Sequence, residues 1–128
     1  MFLLTNREIE ARALDPEAKK LYNALTTTDN AVTASTGSTQ ATGYVVKAAV
    51  TRVTTVGTVG DALTLPKAVS GVSLVVINAA AANSMDVFPA VGDSINALAA
   101  DAALAVAANK TVLFVCAVGG VWNAVVTA

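Results

Sequence analysis

The sequence predicts an all-β body, jelly-roll or sandwich-like, with about seven to eight short strands and a short N-terminal helical arm. Three observations predict it. From Tyr44 onward, Val- and Thr-rich runs are cut at short intervals by Gly, Pro and Gly-Asp turn signals. Nine of the 17 charged residues lie in positions 1–29, and eight are spread over the other 99. Between arm and body runs a stretch that is small, polar and nearly uncharged. The predicted organisation is a helical arm over 1–29, a polar linker over 30–43 and a β-sandwich body over 44–128.

The arm carries helix punctuation. Thr5-Asn6-Arg7-Glu8 fits a capping box, with Leu4 and Ile9 at the staple positions. Asp15-Pro16 fits the cap and first position of a second helix. There Ala18, Leu21, Tyr22 and Leu25 fall on one face at i, i+3, i+4 and i+7. Helices of about ten residues are not stable alone in water. Their apolar faces are expected to dock on the body or on a partner, which makes Ile9, Leu21, Tyr22 and Leu25 the candidate partner-binding residues. Residues 26–43 read as a linker or extended arm rather than a core element. They are either a flexible tether or an extended segment laid over a neighbouring subunit.

In the body, 44–56 is a Val- and Thr-rich strand. Gly57, Gly60-Asp61 and Pro66 mark turns, and 70–78 is a strongly apolar strand. A short strand over 85–88 stops at Pro89 and Gly92-Asp93, and 94–98 and 102–107 are further short candidates. The stretch 96–108 is ambiguous, since its Ala content favours helix and its turn-rich flanks favour strand, the expected state. Strands over 111–118 and 121–127 flank Gly119-Gly120 as a hairpin. Gly60-Asp61-Ala62-Leu63 echoes Gly92-Asp93-Ser94-Ile95, but the match fades beyond four positions and predicts no repeat.

Composition narrows function. The chain has 128 residues, which suggests one domain, and no His, which removes Ser-His-Asp and Cys-His catalysis. One Cys excludes an internal disulfide and a Cys-rich zinc site, and Cys116 reads as a small core hydrophobe. A net charge of −1 without a basic run speaks against nucleic acid. The uncharged stretch 111–128 is long enough to span a membrane, but Gly119-Gly120 and Asn123 interrupt it, so no membrane segment is expected. The N-terminus has no basic region of a signal peptide. With 55% hydrophobic residues and 13% charge, a lone chain would expose much apolar surface. A homo-oligomer, a trimer in the first instance, or a place in a larger assembly is the simplest remedy.

Asp61 and Asp93 each follow a Gly and are read as turn caps rather than as a cation site or an acid–base pair. Asp86 and Asp101 read as turn or surface residues. Trp122 and Tyr44 are expected to be core or interface anchors, with sugar stacking as the sharper alternative. Lys19-Lys20 reads as a solvated helix face. No phosphate loop, dinucleotide pattern or metal-ligand spacing occurs. No enzyme activity and no cofactor are expected, a carboxylate hydrolase using Asp61 and Asp93 being the outlying alternative.

An ordered series of short motifs runs Gly60-Asp-Ala-Leu-Thr-Leu-Pro66, Gly71-Val-Ser-Leu-Val-Val-Ile-Asn78, Met85-Asp-Val-Phe-Pro89, Gly92-Asp-Ser-Ile-Asn96, Lys110-Thr-Val-Leu-Phe-Val-Cys116 and Trp122-Asn-Ala124. It resembles a β-rich module of small virion proteins of tailed bacteriophages, including capsid decoration proteins and fibre pieces. The resemblance covers about 60–126 and leaves out the arm. After Asn78 the chain departs from it, with Ala79-Ala80-Ala81-Ala82-Asn83 in place of a glycine-containing turn. It implies a phage structural protein, not an enzyme, and leaves the part of the virion open; a 128-residue chain with a helical arm and one β body suits the capsid surface of a particle made in the host cytoplasm. The expected role is a cement or decoration protein bridging neighbouring major capsid subunits. The alternative is a tail- or fibre-associated protein that binds host glycans through the loops around Asn83 and Trp122.

Overall fold

The computed structural model describes Pro16, Glu17, Lys19, Lys20 and residues 26–128. Ten strands follow in chain order: β1 Thr28–Thr33, β2 Tyr44–Val45, β3 Val50–Thr55, β4 Ala62–Thr64, β5 Ser73–Asn78, β6 Met85–Phe88, β7 Ser94–Ile95, β8 Leu104–Val106, β9 Thr111–Val118 and β10 Val121–Val126. They form a six-stranded sheet in the order β1-β3-β5-β9-β10-β7 and a four-stranded sheet in the order β2-β4-β6-β8.

The body is all-β, but the jelly-roll or sandwich winding is corrected. Up to β6 the chain changes sheet at every strand, and each strand lies parallel to the one a full coil earlier: β1 beside β3 beside β5, and β2 beside β4 beside β6. This is a short β-solenoid of about four turns. The last part of the chain reverses direction. β8 runs antiparallel to β6, β9 antiparallel to β5, and β10 returns along β9. Gly120, with φ of 89°, makes the tight return possible and bears out the hairpin reading of 111–127. That stretch is therefore two paired strands, and no helix among the described residues is long and apolar enough to cross a membrane.

Alternation explains the core. In β5, Leu74, Val76 and Asn78 point inward, and in β9 Val112, Phe114 and Cys116 do so. Lateral register stacks Thr51, Val76 and Val112 across three strands. From the other sheet Leu63, Leu65, Met85, Val87 and Val106 close the interior, all buried. Trp122 is fully buried and meets Phe114 edge to face at 6.3 Å. Asn78 is buried with every side-chain group satisfied. Its Nδ2 donates to the carbonyls of Asn83 (3.0 Å) and Val106 (2.9 Å), and its Oδ1 accepts from the Ala80 N–H at 3.1 Å.

Three further expectations change. The predicted strand 44–56 is two strands in different sheets, because Lys47-Ala48-Ala49 turns the corner between them with Ala48 buried. Thr64 and its neighbours in β4, read only as part of a turn region, form a strand. Residues 30–43, expected as a polar linker, hold most of β1, and Val32 and Ala34 are buried in the core.

The rest of that segment, 36–43, lies across the outer face of the four-stranded sheet. Ser35 is bridged antiparallel to Ala62 through a pair of backbone hydrogen bonds. Ser38 Oγ then donates to Asp86 Oδ2 on β6. The Gln40 carbonyl accepts from Thr64 Oγ1 at 2.7 Å, and Gln40 Nε2 donates to Pro89 O at 2.8 Å and Asp101 Oδ1 at 3.0 Å. Ala62 stands beside Asp86 on this outer face, yet it is fully buried. Gly43 lets the strap return: a Cβ there would lie 2.3 Å from Thr64 Oγ1 and 2.9 Å from the Leu63 carbonyl carbon.

The outer face of the six-stranded sheet is different. Val125, Leu113, Val75 and Val50 stand in one lateral row across β10, β9, β5 and β3. Val115 and Ile77 extend the row into a patch, and Leu113, Val115 and Val125 are exposed.

Candidate interaction surface

Three turns converge at one corner of the solenoid. They are the turn through 66–72 before β5, the turn through 89–93 before β7, and the β9–β10 hairpin. Each is closed by its own backbone bond or glycine. The Val72 N–H donates to Val69 O at 3.1 Å and the Asp93 N–H to Ala90 O at 2.9 Å, while Gly71, Gly92 and Gly120 have φ near 90° at 93°, 85° and 89°.

Asp93 ties them together. It is buried, and its Oδ1 accepts from Lys67 Nζ at 2.8 Å while its Oδ2 accepts from the Ala68 N–H at 2.8 Å. Ala68 O accepts from the Gly120 N–H at 3.0 Å, and the Ser94 N–H donates to Gly120 O at 3.0 Å. The first turn is pinned to β9 as well: the Gly71 N–H donates to Cys116 O at 2.7 Å, and Ser70 Oγ to Ala117 O at 2.8 Å. A buried carboxylate with two charge-assisted bonds holds its surroundings rigidly, and removing it would leave the Ala68 N–H without a partner.

The rigid hub presents apolar tips. Val69 is 55% exposed, Val91 76% and Val118 68%, with Val72 beside them. A large aliphatic residue at each of three turn tips is costly in water unless something covers it. Lys67 supplies a cation among them, its ammonium held on Asp93 while most of its side chain stays exposed. The arrangement suits contact with an apolar surface that has an acceptor near its rim. It offers no nucleophile–base pair.

Asp61 and Asp93 occupy separate turns with separate partners. Asp61 Oδ2 accepts from the Thr58 N–H of its own turn at 2.9 Å. Asp93 caps a different turn from its own. Among the described residues no group of three His, Cys, Asp or Glu could hold a metal ion. Asp101 is a turn residue at φ 66°, and its Oδ1 accepts from the Gly92 N–H at 2.7 Å. That bond, with the one from Gln40, holds its carboxyl below the usual range despite some opposing desolvation. Tyr44 donates its hydroxyl to Asp29. This bond, then desolvation and the charge of Asp29, raise the Tyr44 pKa.

The two residues expected in glycan-contacting loops differ in exposure. Trp122 is fully buried, and Asn83 spends its Nδ2 on the carbonyls of Val56 (2.9 Å) and Gly57 (3.2 Å). The buried Trp122 ring is not open for stacking on a sugar. Ile9, Leu21, Tyr22 and Leu25 lie outside the described residues. The corner valines were missed from the sequence because each is a lone Val beside a turn, and only the fold gathers them.

No protein-family model, curated protein or solved structure matches the chain.

Proposed function

We propose that the chain is a cement or decoration protein of a tailed-phage head, bridging and stabilising neighbouring major capsid subunits. The observation that carries this reading is the aliphatic corner of Val69, Val91 and Val118 on a frame locked by Asp93. The motif order from Gly60 to Ala124 supports it, and so does a composition with only 13% charge, which favours burial between protein surfaces. Covering apolar area yields roughly 25 cal/mol per Å². A homotrimer would present three such corners at once, so weak single contacts would add through high effective concentration.

The test is binding of the purified chain to phage heads that lack it, measured by co-sedimentation. The double variant Val91→Asp, Val118→Asp should lower bound copies at least tenfold with an unchanged circular dichroism spectrum. Wild-type chain that ignores the heads would overturn the cement reading. Binding that survives in the double variant would move the contact away from this corner.

A further inference from the structure

We infer that Asn96 is an autoinhibitory plug at the β7 edge of the six-stranded sheet: its side-chain amide takes the place of a partner strand beside β10 and keeps a second copy of the chain from pairing there.

The edge is short of strand. Among the described residues β7 is the outermost strand on this side, and it lies beside only Val121 and Trp122, the first two of the six residues of β10. The two strands run parallel, with the Ser94 N–H donating to Gly120 O at 3.0 Å and the Asn96 N–H to Trp122 O at 2.8 Å. Alternation then aims the backbone groups of Ala124, and after it Val126, to the same side. A continued β7 would meet Ala124 with the carbonyl of residue 96 and the N–H of residue 98. The chain instead turns off the strand at Asn96, with φ of 52°, and the Leu98 N–H is spent on Ile95 O at 3.0 Å.

The Asn96 side chain supplies both missing groups. Its Oδ1 accepts from the Ala124 N–H at 2.8 Å, and its Nδ2 donates to Ala124 O at 3.3 Å. A side-chain amide copies the peptide group, with acceptor and donor in one plane. Asn also takes the left-handed backbone more readily than most residues with a side chain. The far side of β7 is closed from within its own turn: the Asp93 carbonyl accepts from the Asp101 N–H at 2.9 Å, and the Ile95 carbonyl from Leu98.

β10 has need of such a guard. Sheet edges are commonly blunted by charged side chains, by Pro or by a covering loop. No charged residue and no proline occurs between Thr111 and Ala128, and Val125 and Val126 are exposed. A partner for this edge must be an extended, uncharged, Val-rich strand. The β10 strand of a second copy, run antiparallel across a two-fold axis, is such a strand.

The test is Asn96→Gly in the full chain, which keeps the left-handed backbone accessible and removes the amide. Light scattering should give about twice the wild-type mass at concentrations where the wild-type mass is constant. The Ala124 and Val126 amides should then exchange about tenfold more slowly in the associated form than in the dilute one. Asn96→Asp keeps an acceptor for the Ala124 N–H and puts a charge on the edge, and should hold the wild-type mass. Asn96→Gly at the wild-type mass throughout would overturn the inference, and so would association that leaves those two amides unprotected. If the variant does not fold, the wild-type chain decides. Its Ala124 amide should be protected equally at every concentration, and rapid exchange there, or protection that grows with concentration, would overturn the plug.

Discussion

The two sheets share one interior and differ in what lies on their outer faces. The four-stranded sheet is crossed by the strap 36–43, which buries Ala62 and bonds Thr64, Asp86 and Pro89. The six-stranded sheet turns a row of aliphatic residues outward. The strap has no apolar side chain larger than Ala between Thr36 and Gly43, so it holds by hydrogen bonds alone. One sheet thus spends polar groups to cover small, polar outward residues. The other turns large apolar residues outward. Outward composition, Ala62, Thr64 and Asp86 against Leu113, Val115 and Val125, separates the face that the strap crosses from the one with an exposed aliphatic row.

Matched substitutions break this comparison most sharply. Ala62→Glu would force a charge beneath the strap, and should cost about 4 kcal/mol or prevent folding. Val115→Glu, outward on the other sheet, should change body stability by less than about 1 kcal/mol. Urea unfolding of both variants checks the pair, and equal costs would mean the faces are covered alike. A smaller effect is expected at the strap's return. Gly43→Ala brings a methyl against Thr64 Oγ1 and the Leu63 backbone, and should cost roughly 1–3 kcal/mol in the same measurement.

The smallest effect is in pH. Asp101 has a lowered folded pKa, so its contribution is present above the unfolded value of about 3.9 and is lost as pH falls through the folded value. The protection factor of the Gly92 amide, its exchange rate relative to that of an unstructured chain at the same pH, should therefore fall below about pH 4, and Asp101→Asn should remove that acid dependence. Tyr44 has the opposite sign: its raised pKa gives a contribution that is complete below about pH 10 and lost above.

Much of the body was legible residue by residue. The strands at 85–88 and 111–118 have the limits that the sequence predicts, because each is a short β-rich run closed by Pro89 or Gly119. The winding was not legible. Short strands at regular turn spacing occur equally when successive strands pair as neighbours and when they alternate between sheets. Only partners far apart in sequence, such as Arg52 with Ile77, distinguish the two. The Gly60-Asp61 and Gly92-Asp93 echo was a true local signal. Both glycines have positive φ and both aspartates are buried, although one turn leads into the four-stranded sheet and the other into the six-stranded one. The strap was illegible for a composition reason. Ser, Thr, Gln and Gly describe a linker in isolation, and Ser38 and Gln40 gain their meaning from partners 48 and 49 residues away.

That distance has a consequence for the order of assembly. Ser35 needs Ala62, Ser38 needs Asp86, and Gln40 needs Pro89 and Asp101. On the ribosome, the strap leaves the exit tunnel well before any of them. It must stay unsettled until the third coil and the turn before β8 exist, since closing such long loops comes late in folding. The part of the body translated first is then among the last to find its place, and its arrival locks the coils already formed beneath it.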